Sequence, residues 1–188
     1  MKHARLAAVT LAAALVAVLR PVVADAQADK LDAGKKHFVE VAKVLQSPRC
    51  MNCHPVGDAP LQTDKSVPHA MKVSRRSNDA GLQCQACHRG SNNAQLHGPP
   101  GVPGWHMPSA SVPMVFEKKT VGELCVQIKE PSKNGGKNLE ALLDHMEHDP
   151  LVLWGWAPGP GRSTPPMSHA EFAEHAKQWI AAGAPCPP

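Results

Sequence analysis

Two short segments of the sequence bring cysteine and histidine together at the same spacing. Residues 50–54 read CMNCH, and residues 84–88 read CQACH. Two cysteines at this spacing can bind zinc as thiolates, cycle as a redox dithiol, or form thioether bonds to a haem. These chemistries differ in whether they use the histidine that follows the second cysteine.

Only haem attachment gives that histidine a role in both segments. Four thiolates can surround one zinc ion, but the gap between the two pairs is longer than in the usual zinc ribbons. A thioredoxin-like dithiol would need a strand before the motif and a helix after it, and no strand pattern precedes either pair. We therefore predict two haem c groups. The residues assigned to covalent attachment are Cys50, Cys53, Cys84 and Cys87, and the proximal iron ligands are His54 and His88.

The two motifs resemble those of c-type cytochromes, and a looser resemblance covers much of the chain. The segments CMNCHPVGDAP, PHAMKV, CQACH, ELC, NGGK, WGWAPGPGR and AGAPCP are similar to a family of small exported dihaem proteins. Members of that family are often described as cytochrome subunits of molybdenum hydroxylases, such as those that act on isoquinoline. The resemblance implies an electron-transfer role and a molybdenum-type hydroxylase or a respiratory electron carrier as redox partner.

The N-terminus has the pattern of a secretory signal peptide. Lys2 and Arg5 precede an apolar run from Leu6 to Leu19, and small residues suited to cleavage follow near Ala28. The run is shorter than the roughly 20 residues of a membrane-spanning helix, so we expect cleavage of residues 1–28 rather than anchoring. The expected product is a periplasmic protein, residues 29–188, that forms a single dihaem unit without a membrane span. Because the 20 basic and 16 acidic residues nearly balance, no nucleic-acid partner is expected.

The fold class that we predict is mainly α. In this prediction, cytochrome c-like helices and long Pro/Gly-rich loops surround two covalently bound haems and position the two motifs. Apolar periodicity predicts one helix from Leu31 to Gln46, directly before the first motif, and Ser168 begins another with a capping box. Thr120 and Asn138 are predicted to cap two shorter helices. No segment predicts a sheet. With only 3 Phe, 4 Trp and no Tyr, the chain needs apolar bulk that buried haems can provide.

The second axial ligand of each iron is less constrained by the sequence. His69 lies between the two motifs and is our first choice. His145 borders the apolar stripe of its helix and ranks second, and His106 and Met114 rank next. Several histidines suggest at least one iron with two histidine ligands and a low potential. Arg75, Arg76, Arg89 and Arg162 are equally eligible to pair with a haem propionate.

Cys125 and Cys186 remain outside the motifs. In an oxidising compartment, an even number of cysteines outside the motifs predicts a disulfide, which would join one short helix to the C-terminal tail. The alternative is a cysteine thiolate as a haem ligand.

Two functions remain open on the sequence alone. The first is a dihaem cytochrome that transfers electrons between a partner oxidoreductase and a downstream acceptor. The second is a dihaem enzyme, peroxidase-like or thiosulfate-oxidising, with an open or labile axial position. The enzyme would need acid–base groups, for which His145, Glu147 and His148 are the nearest candidates. No motif requires such catalysis, so electron transfer is the preferred interpretation.

Overall fold

The computed structural model describes the backbone from residue 4 and the side chains of residues 25–188. Most of the predicted signal peptide, residues 1–28, lies outside the residues whose side chains are described. The chain is mainly helical, which confirms the mainly α part of the predicted fold class. In the part that is described, no helix combines the length and the apolar character needed to cross a membrane.

Helices are separated by long irregular segments. The α-helices are α1 (Ala4–Leu45), α2 (Pro48–Met51), α3 (Arg75–Asp79), α4 (Val121–Lys129), α5 (Leu139–His148), α6 (Pro150–Trp154) and α7 (His169–Ala181). Short 3₁₀ helices cover Cys84–Ala86 and Pro131–Lys133, and β1 (Leu61–Gln62) pairs antiparallel with β2 (Val67–Pro68).

The predicted helix starts are found where the capping residues indicated them. Thr120 and Ser168 each form a full capping box with the glutamate three residues later, and the Asn138 side chain accepts a hydrogen bond from the amide of Ala141. The first helix is longer than predicted. It begins at Ala4 rather than Leu31, because the sequence before Leu31 is rich in the helix formers Ala and Leu, and it ends at Leu45.

One core joins α1, α4, α5 and α7. Phe38 of α1 and Trp179 of α7 are fully buried, and their rings pack with centroids 4.8 Å apart. Leu124 of α4 and Leu142 of α5 belong to the same cluster. At Gly34 the backbone of α1 approaches the C-terminal tail, and an added Cβ would lie 2.5 Å from the Cβ of Ala182.

The predicted disulfide between Cys125 and Cys186 is confirmed. It links α4 to the tail after α7, and the two Cα atoms are 5.5 Å apart. Cys125 is fully buried in the core. Because both sulfurs are bonded to each other, the alternative of a thiolate haem ligand is wrong.

The expectation that no sheet forms was also wrong, although the strands are only two residues long. The β1–β2 hairpin starts close to the first motif, since the amide of Leu61 donates to the carbonyl of Asn52 at 2.9 Å. His69 directly follows β2, and its amide donates to the carbonyl of Pro60 at 3.2 Å. The hairpin therefore carries the chain from the first motif to the position of His69.

Candidate haem centres

Both Cys-x-x-Cys-His motifs form the same local turn. The amide of His54 donates to the carbonyl of Cys50 at 3.2 Å, and the amide of His88 donates to the carbonyl of Cys84 at 3.0 Å. The first turn begins within α2, which starts with Pro48 at a position where proline is favoured, and the second turn begins with a 3₁₀ helix. We call Cys50, Cys53 and His54 the first centre.

The second centre comprises Cys84, Cys87 and His88. The helix α3 connects the two motifs, because the amide of Arg75 donates to the carbonyl of Asp58 at 3.0 Å and the amide of Cys84 donates to the Asn78 side chain at 3.3 Å. Among the residues whose side chains are described, there is no cluster of three or more His, Cys, Asp or Glu side chains that could hold a metal ion.

The histidines of the two motifs have matching environments. Nδ1 of His54 lies 2.7 Å from the carbonyl oxygen of Met114, and Nδ1 of His88 lies 2.8 Å from that of Pro100. A carbonyl oxygen can only accept, so each Nδ1 carries the proton and each Nε2 keeps a lone pair. This is the tautomer that binds a metal through Nε2, with the ring orientation fixed from behind.

An aromatic ring also stacks on each of these imidazoles. His54 stacks on Phe116 with centroids 3.9 Å apart and a 9° angle between planes, and His88 stacks on Trp105 at 4.6 Å and 3°. The hydrogen bond and the stack together hold each imidazole in one orientation. Sequence reasoning did not identify Phe116 or Trp105, because both are distant in the chain from the histidines that they contact.

The first centre lies at the wall of a cavity of about 300 Å³. Apolar residues of α1, α5, α6 and α7 form much of this wall, including Leu45, Leu142 and Phe172. Removal from bulk water lowers the pKa of His54 to about 4, so this imidazole is neutral and able to bind a metal at neutral pH.

The same removal from water raises the pKa of Cys50 to about 12 and that of Cys53 to about 11. Both side chains are therefore neutral thiols. A redox-active Cys-x-x-Cys pair instead depends on a thiol whose pKa is lowered. The first centre thus does not have the electrostatics of a thioredoxin-like dithiol.

His145 lines the cavity together with His54. Nδ1 of His145 lies 3.2 Å from a carboxylate oxygen of Asp149, which leaves Nε2 as the ligating atom. His54 and His145 therefore both face this cavity with Nε2 available, which makes them candidates to bind the same metal group.

His69 and His88 lie opposite each other at the second centre, with ring centroids 6.0 Å apart. Two imidazoles on opposite sides of one metal ion would have centroids about 6.2 Å apart, from metal–nitrogen bonds of about 2.0 Å and about 1.1 Å within each ring. The observed separation therefore matches the space that a shared iron needs.

His69 differs from the other three histidines in its hydrogen bonding. Its Nδ1 accepts from the amide of Met71 at 3.2 Å, so the neutral ring carries its proton on Nε2. Ligation through Nε2 would move that proton to Nδ1 and break the contact with Met71. His69 is thus placed for ligation, but in the unfavourable tautomer.

The two remaining distal candidates also line the cavity of the first centre. The Met114 carbonyl bonds to the Nδ1 of His54, which places the backbone of Met114 on the same side as the proximal histidine. His106 is exposed, and its Nδ1 lies 2.6 Å from the carbonyl oxygen of Gly104. His145, which is less exposed than His106, is therefore the preferred candidate for a second ligand at the first centre.

Arg49 is a cavity residue that the sequence did not single out. It is 5% exposed, it donates from Nη2 to Asp64 at 2.6 Å, and its Nε has no hydrogen-bond partner. The guanidinium also lies over the ring of Trp154, 5.9 Å from its centroid. A buried N–H without an acceptor is costly, so this site suits an anionic group within the cavity.

The arginines proposed from the sequence have other contacts. Arg75 is buried and donates to the carbonyls of Gly57, Pro108 and Pro113, which ties the segment after the first motif to the loop before α4. Arg162 donates to three carbonyls, including that of Gly98. Both therefore serve to connect loops, while Arg76 and Arg89 are exposed near the second centre.

Comparison with known proteins gives no match to this chain. No family model fits it, and no curated protein and no solved structure is significantly similar to it. The functional interpretation therefore depends on the motifs and on the geometry of the two centres.

Proposed function

We propose that this protein is a dihaem c-type cytochrome that transfers electrons between a partner oxidoreductase and a downstream acceptor. The observation that carries the proposal is the matching environment of the two motif histidines. In each, Nδ1 is bonded to a carbonyl, Nε2 is left for a metal, and a second histidine lies nearby. A zinc site or a dithiol would not need this arrangement twice.

The residues of each centre have defined tasks. The four motif cysteines would hold the two haems through thioether bonds, and His54 and His88 would bind the irons. When bound, each haem supplies an iron that accepts and releases one electron at a time. The protein fixes ligand orientation through Met114 and Pro100, limits access of water to the first centre, and offers Arg49 to a haem propionate.

Two histidine ligands on each iron would give low reduction potentials, because methionine rather than histidine raises the potential. His145 completes the first centre in this proposal and His69 completes the second. The predicted signal peptide fits covalent haem attachment, which in bacteria takes place outside the cytoplasmic membrane. The resemblance of the sequence to dihaem subunits of molybdenum hydroxylases makes such an enzyme, or a respiratory electron carrier, the partner that we propose.

The alternative of a dihaem enzyme draws support from the unfavourable tautomer of His69, which would make this ligand easier to displace. However, the acid–base residues considered for that role have other contacts. Glu147 pairs with Lys177 at 2.6 Å, His145 contacts Asp149, and the His148 side chain is 70% exposed. Electron transfer uses the observed contacts without requiring a catalytic base.

Expression in a periplasm with haem-attachment machinery tests the proposal. We expect the intact mass of the secreted protein to include two covalently bound haems, and a potentiometric titration to resolve two one-electron steps. Replacing Cys84 and Cys87 by alanine should remove one haem and one step. A secreted chain that carries zinc, or no haem, would exclude this function.

A further inference from the structure

A pair of histidines outside both haem centres joins α1 to α7. Nδ1 of His37 lies 2.9 Å from Nδ1 of His175, and the ring centroids are 5.1 Å apart with a 49° angle between the planes. Neither histidine lines the cavity of the first centre, and neither belongs to a Cys-x-x-Cys-His motif. The pair connects two helices whose contact residues are 138 positions apart in the chain.

Core packing holds the two helices beside this pair. Phe38 directly follows His37, and Trp179 lies one turn after His175 in α7. Phe38 and Trp179 are fully buried, and their rings pack with centroids 4.8 Å apart. The two histidines are half-buried, so a dissolved ion has access to a pair whose spacing is set by the core.

Two imidazole nitrogens that face each other at this distance can be in two states. In the first, one Nδ1 carries a proton and donates it to the other Nδ1 in a hydrogen bond. In the second, both rings carry their proton on Nε2, and the two Nδ1 lone pairs bind one metal ion. The second state leaves both rings neutral, because a neutral imidazole can carry its proton on either nitrogen.

The separation of the two nitrogens discriminates between metal geometries. Bonds from imidazole to a divalent metal are about 2.0–2.1 Å long. Two such bonds at a right angle place the nitrogens about 2.9 Å apart, whereas the tetrahedral angle places them about 3.3 Å apart. The observed 2.9 Å therefore matches neighbouring positions of a tetragonal site, the geometry of copper(II) and nickel(II), better than it matches tetrahedral zinc.

The nearest acidic residues along the two helices have other contacts. Glu171 precedes His175 by one turn, but its carboxylate accepts from the amide and the hydroxyl of Ser168 in the capping box. Glu40 of α1 pairs with Lys43 at 2.7 Å. The site would therefore have two protein ligands with water in the other positions, which agrees with the absence of larger metal-binding clusters among the described side chains.

We propose that His37 and His175 form a binding site for copper(II) that joins α1 to α7, with nickel(II) as a weaker occupant. Copper(II) binds nitrogen ligands more tightly than the other divalent first-row metals do. A bound ion would add a link between the two helices and would stabilise the folded chain. The site uses none of the residues assigned to the haems, so it does not depend on the proposed function.

Equilibrium dialysis of the secreted holoprotein against copper(II) at neutral pH tests the site. Free thiols are alkylated first, so that the motif cysteines do not compete whether or not haem is attached. His37→Gln and His175→Gln should each weaken the binding of copper(II) by at least about tenfold. Glutamine can keep a hydrogen bond across the pair, so these variants remove the metal ligand and not the contact. The matched control is His148→Gln on α5, which removes a 70% exposed histidine and should change the affinity by less than about twofold.

Two further measurements distinguish a metal site from a hydrogen bond. Electron spin echo spectra of the oxidised, copper-loaded protein should show the remote nitrogens of two imidazoles, and those of one imidazole in each variant of the pair. At a free nickel(II) concentration of about ten times its Kd, the midpoint of thermal unfolding should rise by about 3–6 °C in the wild type and by less in the variants.

Equal copper(II) affinity in the wild type and in both variants of the pair would overturn the proposal, as would a nitrogen signal that the variants do not change. Either result would leave the hydrogen bond as the role of the pair. Haem content is determined separately. Absence of haem would refute the proposed function, whereas the comparison of the copper affinities would still decide this proposal.

Discussion

Removal of single histidines gives the most direct test of the ligand arrangement. If His145 and His69 each occupy one axial position, the reduced wild-type protein has no vacant site and should bind no carbon monoxide. His69→Ala should open the second centre alone and His145→Ala the first centre alone. Each variant should therefore bind one carbon monoxide per chain, and the double variant should bind two.

The structure also predicts that the two ligands differ in strength. Ligation by His69 must break the hydrogen bond from the amide of Met71 to its Nδ1. Such a bond contributes about 1 kcal/mol, which corresponds to roughly a fivefold loss in ligand affinity. His145 has no such cost, because its Nδ1 already faces the carboxylate of Asp149. Added cyanide should thus displace His69 at lower concentration than His145.

The assay combines carbon monoxide titration of the reduced protein with absorption spectra of the oxidised protein. In each single variant we expect half of the haem to change from low spin to high spin. His106→Ala is the matched control, since His106 lines the same cavity as His145 but is exposed and is not a ligand in this proposal. If His69→Ala stayed fully low spin and bound no carbon monoxide, the match between the 6.0 Å ring separation and a shared iron would be fortuitous.

Three further predictions concern the disulfide, the α1 contact and Arg49. Replacing Cys125 and Cys186 by alanine removes a disulfide between residues 61 positions apart in the chain. We expect the free energy of unfolding, measured by urea titration, to fall by about 4 kcal/mol. An unchanged free energy of unfolding would mean that the disulfide does not constrain the unfolded chain. Gly34→Ala should destabilise by about 1–3 kcal/mol, because its Cβ would meet that of Ala182 at 2.5 Å. The double variant Gly34→Ala/Ala182→Gly should recover part of this loss in the same assay. Arg49→Gln should lower the reduction potential of the first centre by on the order of tens of millivolts, since a nearby positive charge favours the reduced iron. Arg49→Lys should restore part of that potential in spectroelectrochemistry, and equal potentials in all three proteins would exclude contact with a propionate.

The local features of this protein could be predicted because short sequence patterns determine them. Thr120 and Ser168 each need only a glutamate three residues later to form a capping box. The disulfide followed from the count of cysteines outside the motifs.

The environment of each histidine could not be predicted, because it depends on residues far away in the chain. The carbonyl that fixes His54 belongs to Met114, and Met114 was considered only as a side-chain ligand. Its backbone, with φ at 48°, is in a conformation that the sequence does not indicate. Arg49 was overlooked for a different reason. Arginine is usually exposed, and its burial became evident only when Asp64 and Trp154 were found beside it.

The cavity at the first centre bears on how a chain with few aromatic residues forms one core. Its volume is about 300 Å³ and much of its lining is apolar, so a group that fills it would bury apolar surface that is otherwise open to solvent. The cavity is bordered by Leu45, Leu142 and Phe172, which also belong to the core or pack beside it. A group that fills this space would therefore contribute to folding as much as to function. The first centre has the position of a structural element within the core, whereas the exposed second centre can be altered with less effect on the fold. In the proposed function, the first centre would therefore contribute more to stability than the second.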